Sequence, residues 1–279
     1  MRVFFATTAK PQLQVLIDNG AKNILIAQQH RRLIDIVKDN PSVNLIVDSG
    51  AYTVWTKGMS IDLKEYSSYC KWLQENNNLN SLTIVNVDVI PGRFGTTPTR
   101  EDTEKSSIQG FENYYYMKKQ GIKNVMHIFH QGEDFKWLDE LMKTSEEYVG
   151  ISPRNDLGAK KRLQWLKKVF SIVRDKKKTH GFGITQVNAL KQIPFFSADS
   201  SNWNTLIRFG TMITYNRKNF KSGSIKYKQE LKKASEYGLA RNLTSKELTQ
   251  KLSIPIKGQL EMQEDITRLW KLKGINYEN

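Results

Sequence analysis

The sequence predicts an α/β fold in which parallel strands and their helices close into one (β/α)8 barrel. Three observations carry the prediction: eight short apolar runs recur along residues 3–200, longer helix-patterned stretches separate them, and most runs end in polar residues. Such alternation is typical of parallel strands with right-handed crossovers, and eight repeats favour a closed TIM barrel. An open doubly wound sheet is the alternative, since one misassigned strand would leave seven.

The predicted strands are short and mostly rich in Val, Ile and Phe, which favours strands over core helices. In chain order they are VFFAT (3–7), NILIA (23–27), NLIVDSGA (44–51), LTIVNVDVI (82–90), NVMHIFH (124–130), YVGIS (148–152), THGFGI (179–184) and FFSADS (195–200). Several of the helices predicted between them end at Gly or Asn, where a C-cap belongs. These helices cover residues 11–20, 31–40, 63–77, 100–120, 135–147, 161–177 and 185–193.

The pattern changes after residue 205. Residues 209–216 are compatible with an extra strand or with the approach to the last barrel helix, and the chain is strongly basic from Lys218 onward. A Ser/Thr-x-x-Glu cap signature lies in 243–252, and a final helix is predicted over 261–274. We therefore predict a barrel over residues 1–215 and a basic helical extension, residues 216–279, packed on it.

The composition favours a polyanionic partner. With 43 Lys and Arg against 28 Asp and Glu, the chain carries a formal net charge of +15, and each phosphate neutralised by a cation releases a counterion. No apolar run approaches the ~18 residues needed to cross a bilayer, so no membrane partner is expected. The single cysteine, Cys70, excludes an internal disulfide and a Cys-rich zinc site and favours a cytoplasmic protein. Its helical context predicts a buried side chain.

Aspartates lie at the ends of three predicted strands, where a barrel builds its active site. They are Asp48, Asp88 and Asp199. Burying an unpaired carboxylate is costly, so each must be solvated, paired or used, although any one of them could cap a helix. Two carboxylates facing one pocket suit chemistry at a glycosidic carbon. Barrel closure is expected to bring Asp48 and Asp199 to opposite sides of one mouth.

Several of these strand-end motifs resemble those of the tRNA-guanine transglycosylases. The segment Asp48-Ser49-Gly50-Ala51-Tyr52 resembles the Asp-Ser-Gly-Gly-Phe motif that carries the family's general acid/base. The stretch Gly181-Phe182-Gly183, followed by Asp199, resembles the Gly-Val-Gly stretch that leads to the nucleophilic aspartate. Segments resembling the family's guanine contacts are Asp88 with Pro91, Gln131-Gly132 and Gly150-Ile151. The matches run in order through residues 40–205.

The longer stretch from Asp48 to Thr56 is more similar to the DNA-modifying branch of this superfamily. Its DpdA-type members insert 7-deazaguanines into DNA and are often encoded by bacteriophages. The tRNA enzymes carry a Cys₃His zinc subdomain, which one cysteine cannot build. The resemblance therefore implies base exchange in DNA with a free 7-deazaguanine base, without metal or cofactor, and exchange in tRNA is the alternative.

The resemblance also assigns roles to residues. Asp199 is the implied nucleophile at C1′ and Asp48 the implied acid/base. The implied base contacts are Asp88, Gln131, Gly150, Ile151, Ser49, Gly50, Tyr52, Phe182 and Gly183. For Tyr52 and Phe182 the contact would be stacking on the base, and packing in the core is the alternative. From their charge, the residues expected on nucleic-acid phosphates are Arg154, Arg208, Arg217, Lys218, Lys221 and Lys226, for which a solvated charged face is the alternative. His127, His130 and His180 are interpreted as structural.

Other functions stay open at this stage. A barrel enzyme acting on a small nucleoside or sugar would need the same carboxylates but not the charge of +15. A nucleic-acid-binding barrel without chemistry would keep its full effect after Asp199→Ala. A metal hydrolase is a third alternative, and four histidines with no paired spacing argue against it.

Overall fold

Each of the eight apolar runs contains a strand. The computed structural model describes residues 1–93, 95–227, 229–236 and 244–277, with the backbone alone for 205, 206, 208, 231, 234, 236 and 245. Over these residues the fold is an α/β barrel of nine parallel strands, which confirms the predicted fold class. The fifth run supplies two of the nine, because it divides at His127. The strands are β1 (Arg2–Ala6), β2 (Asn23–Ala27), β3 (Asn44–Asp48), β4 (Ser81–Val85), β5 (Val125–Met126), β6 (Ile128–His130), β7 (Tyr148–Ser152), β8 (Lys178–Gly181) and β9 (Ser197–Ser200).

The helices alternate with these strands much as the sequence predicts. They are α1 (Lys10–Asp18), α2 (Arg31–Val37), α3 (Ala51–Thr56), α4 (Leu63–Glu75), α5 (Arg100–Lys119), α6 (Phe135–Lys143), α7 (Ala159–Val173), α8 (Val187–Leu190), α9 (Asn202–Thr205), α10 (Leu231–Glu236), α11 (Ser245–Lys251) and α12 (Ser253–Leu272). The predicted cap signature is a capping box between Thr244 and Glu247 at the start of α11. The sequence did not predict α3, which begins directly after the third strand.

The chain forms two compact units, Met1–Ile24 with Gly183–Asn279 and Leu25–Phe182, which we call unit 1 and unit 2. In unit 1, β1 pairs in parallel with β9, and Phe4 lies opposite Asp199. The neighbouring Phe5 joins a buried cluster with Leu16 of α1, Trp203 of α9 and Ile256 of α12. Since successive strand residues point to opposite faces, Asp199 lies on the face of the sheet turned away from these helices.

The segment after β9 contains an antiparallel hairpin as well as helices. Strand β10 (Thr211–Asn216) pairs with β11 (Lys221–Lys226), so residues 209–216 form the extra strand considered above. Residues 221–226 were expected in a helical extension and are a strand instead. Of this strand only Ile225 is buried, in the cluster of unit 1 that contains Met212, so the sequence has no alternation that would predict a strand.

The last helix, α12, is bound to the first strand. The side-chain carbonyl of Gln263 accepts the Val3 amide at 2.7 Å, and Thr267 Oγ1 accepts the N-terminal ammonium group at 2.9 Å. Further along α12, Trp270 Nε1 donates to the Leu190 carbonyl at 2.8 Å. The helix therefore contributes to the packing of β1 and α8. No helix in the described ranges is long and apolar enough to cross a membrane.

In unit 2, aromatic packing identifies the two faces of the sheet. The Phe129 ring of β6 lies 5.5 Å from Phe135 of α6 and 5.7 Å from Trp165 of α7, so this face of β6 is covered by helices. Ile128 and His130 therefore occupy the opposite face. The register places Gly150 opposite Ile128 and His180, and Ser152 opposite His130. We call this shared face the inner face of unit 2.

Candidate active site

The loop after β3 is held in a fixed turn by two glutamines. Gly50 adopts φ +78°, and a Cβ at this position would lie 2.0 Å from Gln29 Nε2, so only glycine fits. Gln28 and Gln29 donate their side-chain amides to the carbonyls of Ser49 and Gly50 at 3.0 and 3.4 Å. This arrangement ends β3 at Asp48, which is half-buried, and starts α3 at Ala51. The turn therefore fixes the position of Asp48 at the end of β3.

Ser49 connects this loop to the residues that follow β4. Its side chain is fully buried, and its hydroxyl donates to Asp88 Oδ1 at 3.3 Å while accepting the Ala51 amide at 3.3 Å. The serine thus uses both its donor and an acceptor within the protein. It orients Asp88, one of the residues predicted to contact a base.

Asp88 also pairs with a histidine on the inner face. His130 Nε2 lies 2.9 Å from Asp88 Oδ2, and the two side chains are 12% and 7% exposed. Burial by itself lowers the pKa of His130, but the carboxylate of Asp88 outweighs it, so the pKa is raised above its usual 6.5. The contact therefore holds the imidazole of His130, with its raised pKa, against the carboxylate of Asp88.

A second acid, Glu133, lies beneath this pair. Its Oε2 accepts the backbone amide of His130 at 2.8 Å, and its Oε1 lies 2.9 Å from the hydroxyl of Ser107, which is also 3.0 Å from the Thr103 carbonyl. A hydroxyl has one hydrogen, and the carbonyl can only accept it. The contact between Ser107 and Glu133 is therefore satisfied best when Glu133 carries the proton. Burial likewise raises the pKa of Glu133.

His127 is structural, as the sequence predicted. Its Nδ1 lies 2.8 Å from Asn86 Nδ2, and the same amide group donates to the Gly110 carbonyl at 2.8 Å. The ring packs against Phe111 and Tyr114 of α5. Burial lowers the pKa of His127 to about 3, so the imidazole is neutral and accepts through Nδ1.

Three predicted base contacts lie on β7, on β8 or just beyond their ends. A Cβ at Gly150 would lie 2.7 Å from Phe182 Cε2 and 2.9 Å from Ile128 Cγ1, so the Phe182 ring covers this glycine directly. The same ring lies 4.6 Å from His180 in an edge-on contact. Ile151 is buried and its carbonyl accepts the Phe182 amide at 3.0 Å. On the inner face, the buried Gly150 therefore lies beneath the Phe182 ring, which covers this predicted base contact.

Two other predicted base contacts lie nearer the surface. The Gln131 side-chain carbonyl accepts the Arg154 amide at 3.1 Å, which orients the side chain of this half-buried residue. Tyr52 on α3 is 53% exposed, and its ring lies 5.9 Å from Trp55. Trp55 in turn donates through Nε1 to the Gly92 carbonyl at 2.7 Å. The described contacts thus attach α3 to the segment that follows Asp88.

In unit 1, the backbone of Gly183 holds Asp199. The carboxylate is 8% exposed at the carboxyl end of β9, and its Oδ1 accepts the Gly183 amide at 2.9 Å. Gly183 adopts φ +65°, which favours glycine. Gly183 and Asp199, sixteen residues apart in the sequence, are therefore joined by a direct hydrogen bond.

The predicted phosphate contacts differ in their availability. Arg217 is bound by two carboxylates of α12, Glu264 and Asp265, and Arg154 pairs with Asp156, so part of their charge is neutralised. Arg217, Lys218, Lys221 and Lys226 are exposed, and Arg154 is half-buried. The Arg208 side chain lies outside the described residues.

The sequence interpretation missed the pairing of His130 with Asp88 and the acid Glu133. Their positions at adjoining strand ends were visible, but no pattern identified them as partners. Cys70 is buried as predicted, and burial raises its pKa to about 12, so it is a thiol rather than a nucleophilic thiolate. Among the described residues, no group of three or more His, Cys, Asp or Glu side chains is arranged to hold a metal ion.

Comparison with solved structures identifies the fold. A proposed fructose-1,6-biphosphate aldolase from Coccidioides immitis matches with a TM-score of 0.52 at 8% identity, over 98% of this chain and 92% of that one. An N-acetylneuraminate lyase from Fusobacterium nucleatum matches at 14% identity and a TM-score of 0.46, over 98% and 88%. The chain is a TIM-like barrel. At these identities the likeness shows the fold alone, and no protein-family model or curated protein matches the sequence.

Proposed function

We propose that the protein is a transglycosylase that replaces guanine in DNA with a 7-deazaguanine base. The observation that carries the proposal is the placement of Asp199. It ends the last barrel strand, faces away from the helices of unit 1 and is held by the Gly183 amide. A positioned carboxylate of this kind suits attack on a glycosidic carbon. The motifs around Asp48, Asp88 and Gln131 resemble those of transglycosylases in the same order along the chain.

In the proposed first step, Asp199 attacks C1′ of a guanosine that has been flipped out of the duplex. The bond between C1′ and N9 breaks, a bond between C1′ and a carboxylate oxygen of Asp199 forms, and Asp48 gives its proton to the departing guanine. In the second step Asp48 takes the N9 proton of the incoming 7-deazaguanine. The N9 electron pair then attacks C1′ and releases the Asp199 carboxylate. These two steps need neither an oxidant nor a metal ion.

The network around Asp88 supports reading of a purine edge. An ionised carboxylate has only acceptor sites, so it suits the N–H groups of a 2-amino-6-oxo purine edge. Asp88 lies 2.9 Å from His130 and accepts the Ser49 hydroxyl, so both of its oxygens are held in place. The half-buried Phe182 ring, which covers Gly150, is compatible with stacking on a planar base.

The proposal is tested by incubating the protein with DNA and isotope-labelled guanine or 7-deazaguanine, with tRNA as a parallel substrate. We expect label in DNA for the wild type and a loss of ~10³-fold or more for Asp199→Asn. A matched control is Asp39→Asn, which removes an exposed carboxylate paired with Lys38 and is expected to leave exchange unchanged. Denaturing electrophoresis should show a protein–DNA adduct that depends on Asp199.

Each alternative gives a different outcome. Label in tRNA but not DNA would replace the DNA assignment with the tRNA branch. Release of guanine without incorporation would indicate a glycosidase. Folded wild-type protein that neither incorporates nor releases a base from either nucleic acid would overturn the proposal.

A further inference from the structure

One helix of unit 2 presents a face that is basic and unpaired. From Lys160 to Ser171 the exposed residues of α7 are Lys160, Lys161, Gln164, Lys167, Lys168 and Ser171. Their spacing repeats the helical period, so they lie on one side of the helix, opposite the buried residues Leu166, Val169, Phe170 and Val173. We call these six exposed residues the basic face of α7.

The charge of this face is not compensated by neighbours. Helix α7 contains five Lys and Arg residues and neither Asp nor Glu. Within the described parts of the chain, none of the four lysines of the basic face forms an ion pair. Other exposed lysines do, as in Lys105 with Glu101, Lys143 with Glu140 and Lys233 with Glu230. The basic face therefore differs from these paired lysines, although the ammonium group of Lys168 lies over the Phe135 ring, 3.9 Å from its centroid.

The basic face begins beside the candidate site. Helix α7 follows β7 after a short loop, so its first turn lies at the edge where parallel strands have their carboxyl ends. Asp88 and His130 follow or end strands at this same edge of unit 2. Lys160 and Lys167 are seven residues apart, about 10 Å along the helix axis. The positive surface thus extends outward from the edge that carries the candidate base-reading residues.

We propose that the basic face of α7 binds the phosphate backbone of the DNA whose base enters the barrel. This inference rests on the proposed function and adds a binding surface to it, distinct from the basic residues of 216–233. Four uncompensated lysines are complementary to a polyanion, and backbone contacts of this kind position nucleic acid without reading its sequence. They also make binding salt-dependent.

The test compares two triple variants that remove the same charge. One replaces Lys160, Lys161 and Lys167 by Gln on the basic face, and the control replaces Lys38, Lys105 and Lys143 by Gln, whose charges are already paired. Binding of a short DNA duplex is measured by fluorescence anisotropy over a series of salt concentrations. For the α7 variant we expect a tenfold or greater loss of affinity at low salt. The slope of log K against log salt should shrink by up to ~0.9 per lost phosphate contact.

The outcomes separate this inference from the proposed function. Equal losses of affinity in both variants would show that net charge alone drives binding, and would overturn the inference. Unchanged binding by an α7 variant with an unaltered melting temperature would overturn it as well. Asp199→Asn is expected to bind the duplex as tightly as the wild type. If the α7 variant loses DNA binding while the wild type performs no exchange, the surface stands and the proposed chemistry fails.

Discussion

The imidazole of His130 lies 2.9 Å from the carboxylate of Asp88, with both side chains almost fully buried at the strand ends of unit 2. Buried ion pairs rarely add stability relative to an apolar pair, but removing one partner leaves the other uncompensated. The pairing therefore points to a requirement for a fixed Asp88 carboxylate rather than to a stabilising role. Glu133 lies next to the pair, accepts the His130 backbone amide, and has a pKa that burial raises.

The pair predicts a pH dependence for His130→Gln. The pKa of His130 is raised in the folded protein above the 6.5 expected in the unfolded chain. Its stabilising contribution is thus fully present below pH 6.5 and is lost as the pH rises through the folded value. We expect His130→Gln to cost about 3 kcal/mol near pH 6 and progressively less at higher pH, measured by urea unfolding. The control is His30→Gln at the start of α2; a cost for His130→Gln that is independent of pH would contradict the ion pair.

A second prediction concerns the protonation of Glu133. Glutamine is close in shape to a protonated glutamate, since its amide can donate to Ser107 while its carbonyl accepts the His130 amide. Glu133→Gln should therefore change the unfolding free energy by less than about 1 kcal/mol, whereas Glu133→Ala should cost about 3 kcal/mol because it leaves the His130 amide without its partner.

The pH dependence provides a check on the same residue. Burial raises the pKa of Glu133, so its contribution is present at low pH and lost as the pH rises through the folded value. Relative to the wild type, Glu133→Gln should thus become more favourable with increasing pH. Equal costs for Gln and Ala in urea unfolding would show that the glutamate is ionised.

The strands were predictable because their signal is local. Short runs of β-branched and aromatic residues define β1, β2 and β7 almost to the residue, and the polar residue that ends a run, such as Asp48, marks the edge where a site forms. The partner of Asp88 was not predictable, because it depends on how the ends of β4 and β6 approach in space. Residue spacing identifies which face a side chain occupies and gives no information on its neighbour across strands.

The basic residues illustrate the same limit. Arg217 is part of a strongly basic segment, and the sequence favours a phosphate contact there. In the structure Glu264 and Asp265, almost fifty residues further along the chain, bind its guanidinium group. The lysines of α7 are spread through an amphipathic helix, where the sequence pattern reads as ordinary surface. Whether a charged side chain has an ion-pair partner depends on the tertiary structure. The composition therefore gives the total number of charged residues and not the number that are free to bind a ligand.

A third prediction tests the contact between Gly150 and Phe182. The Cβ of Gly150→Ala would lie 2.7 Å from Phe182 Cε2, which is closer than van der Waals contact allows, and overpacking of this kind costs about 1–3 kcal/mol. Phe182 is half-buried, so Phe182→Leu should relieve the clash. We expect the double variant to be more stable than Gly150→Ala alone, by thermal unfolding. Additive losses in the two single variants would contradict direct contact between these residues.

The last prediction concerns the attachment of α12 to β1. Gln263 Oε1 accepts the Val3 amide at 2.7 Å and the Asn23 side-chain amide at 3.3 Å. Gln263→Leu has a similar volume but no acceptor, so both donors lose their partner in a largely buried position. We expect a loss of about 2 kcal/mol in urea unfolding, against almost none for Gln250→Leu on the exposed side of α11. If the two variants were equally stable, α12 would be a dispensable addition; a selective loss at Gln263 would make the last helix part of the structure that positions β1 and, through its pairing with β9, Asp199.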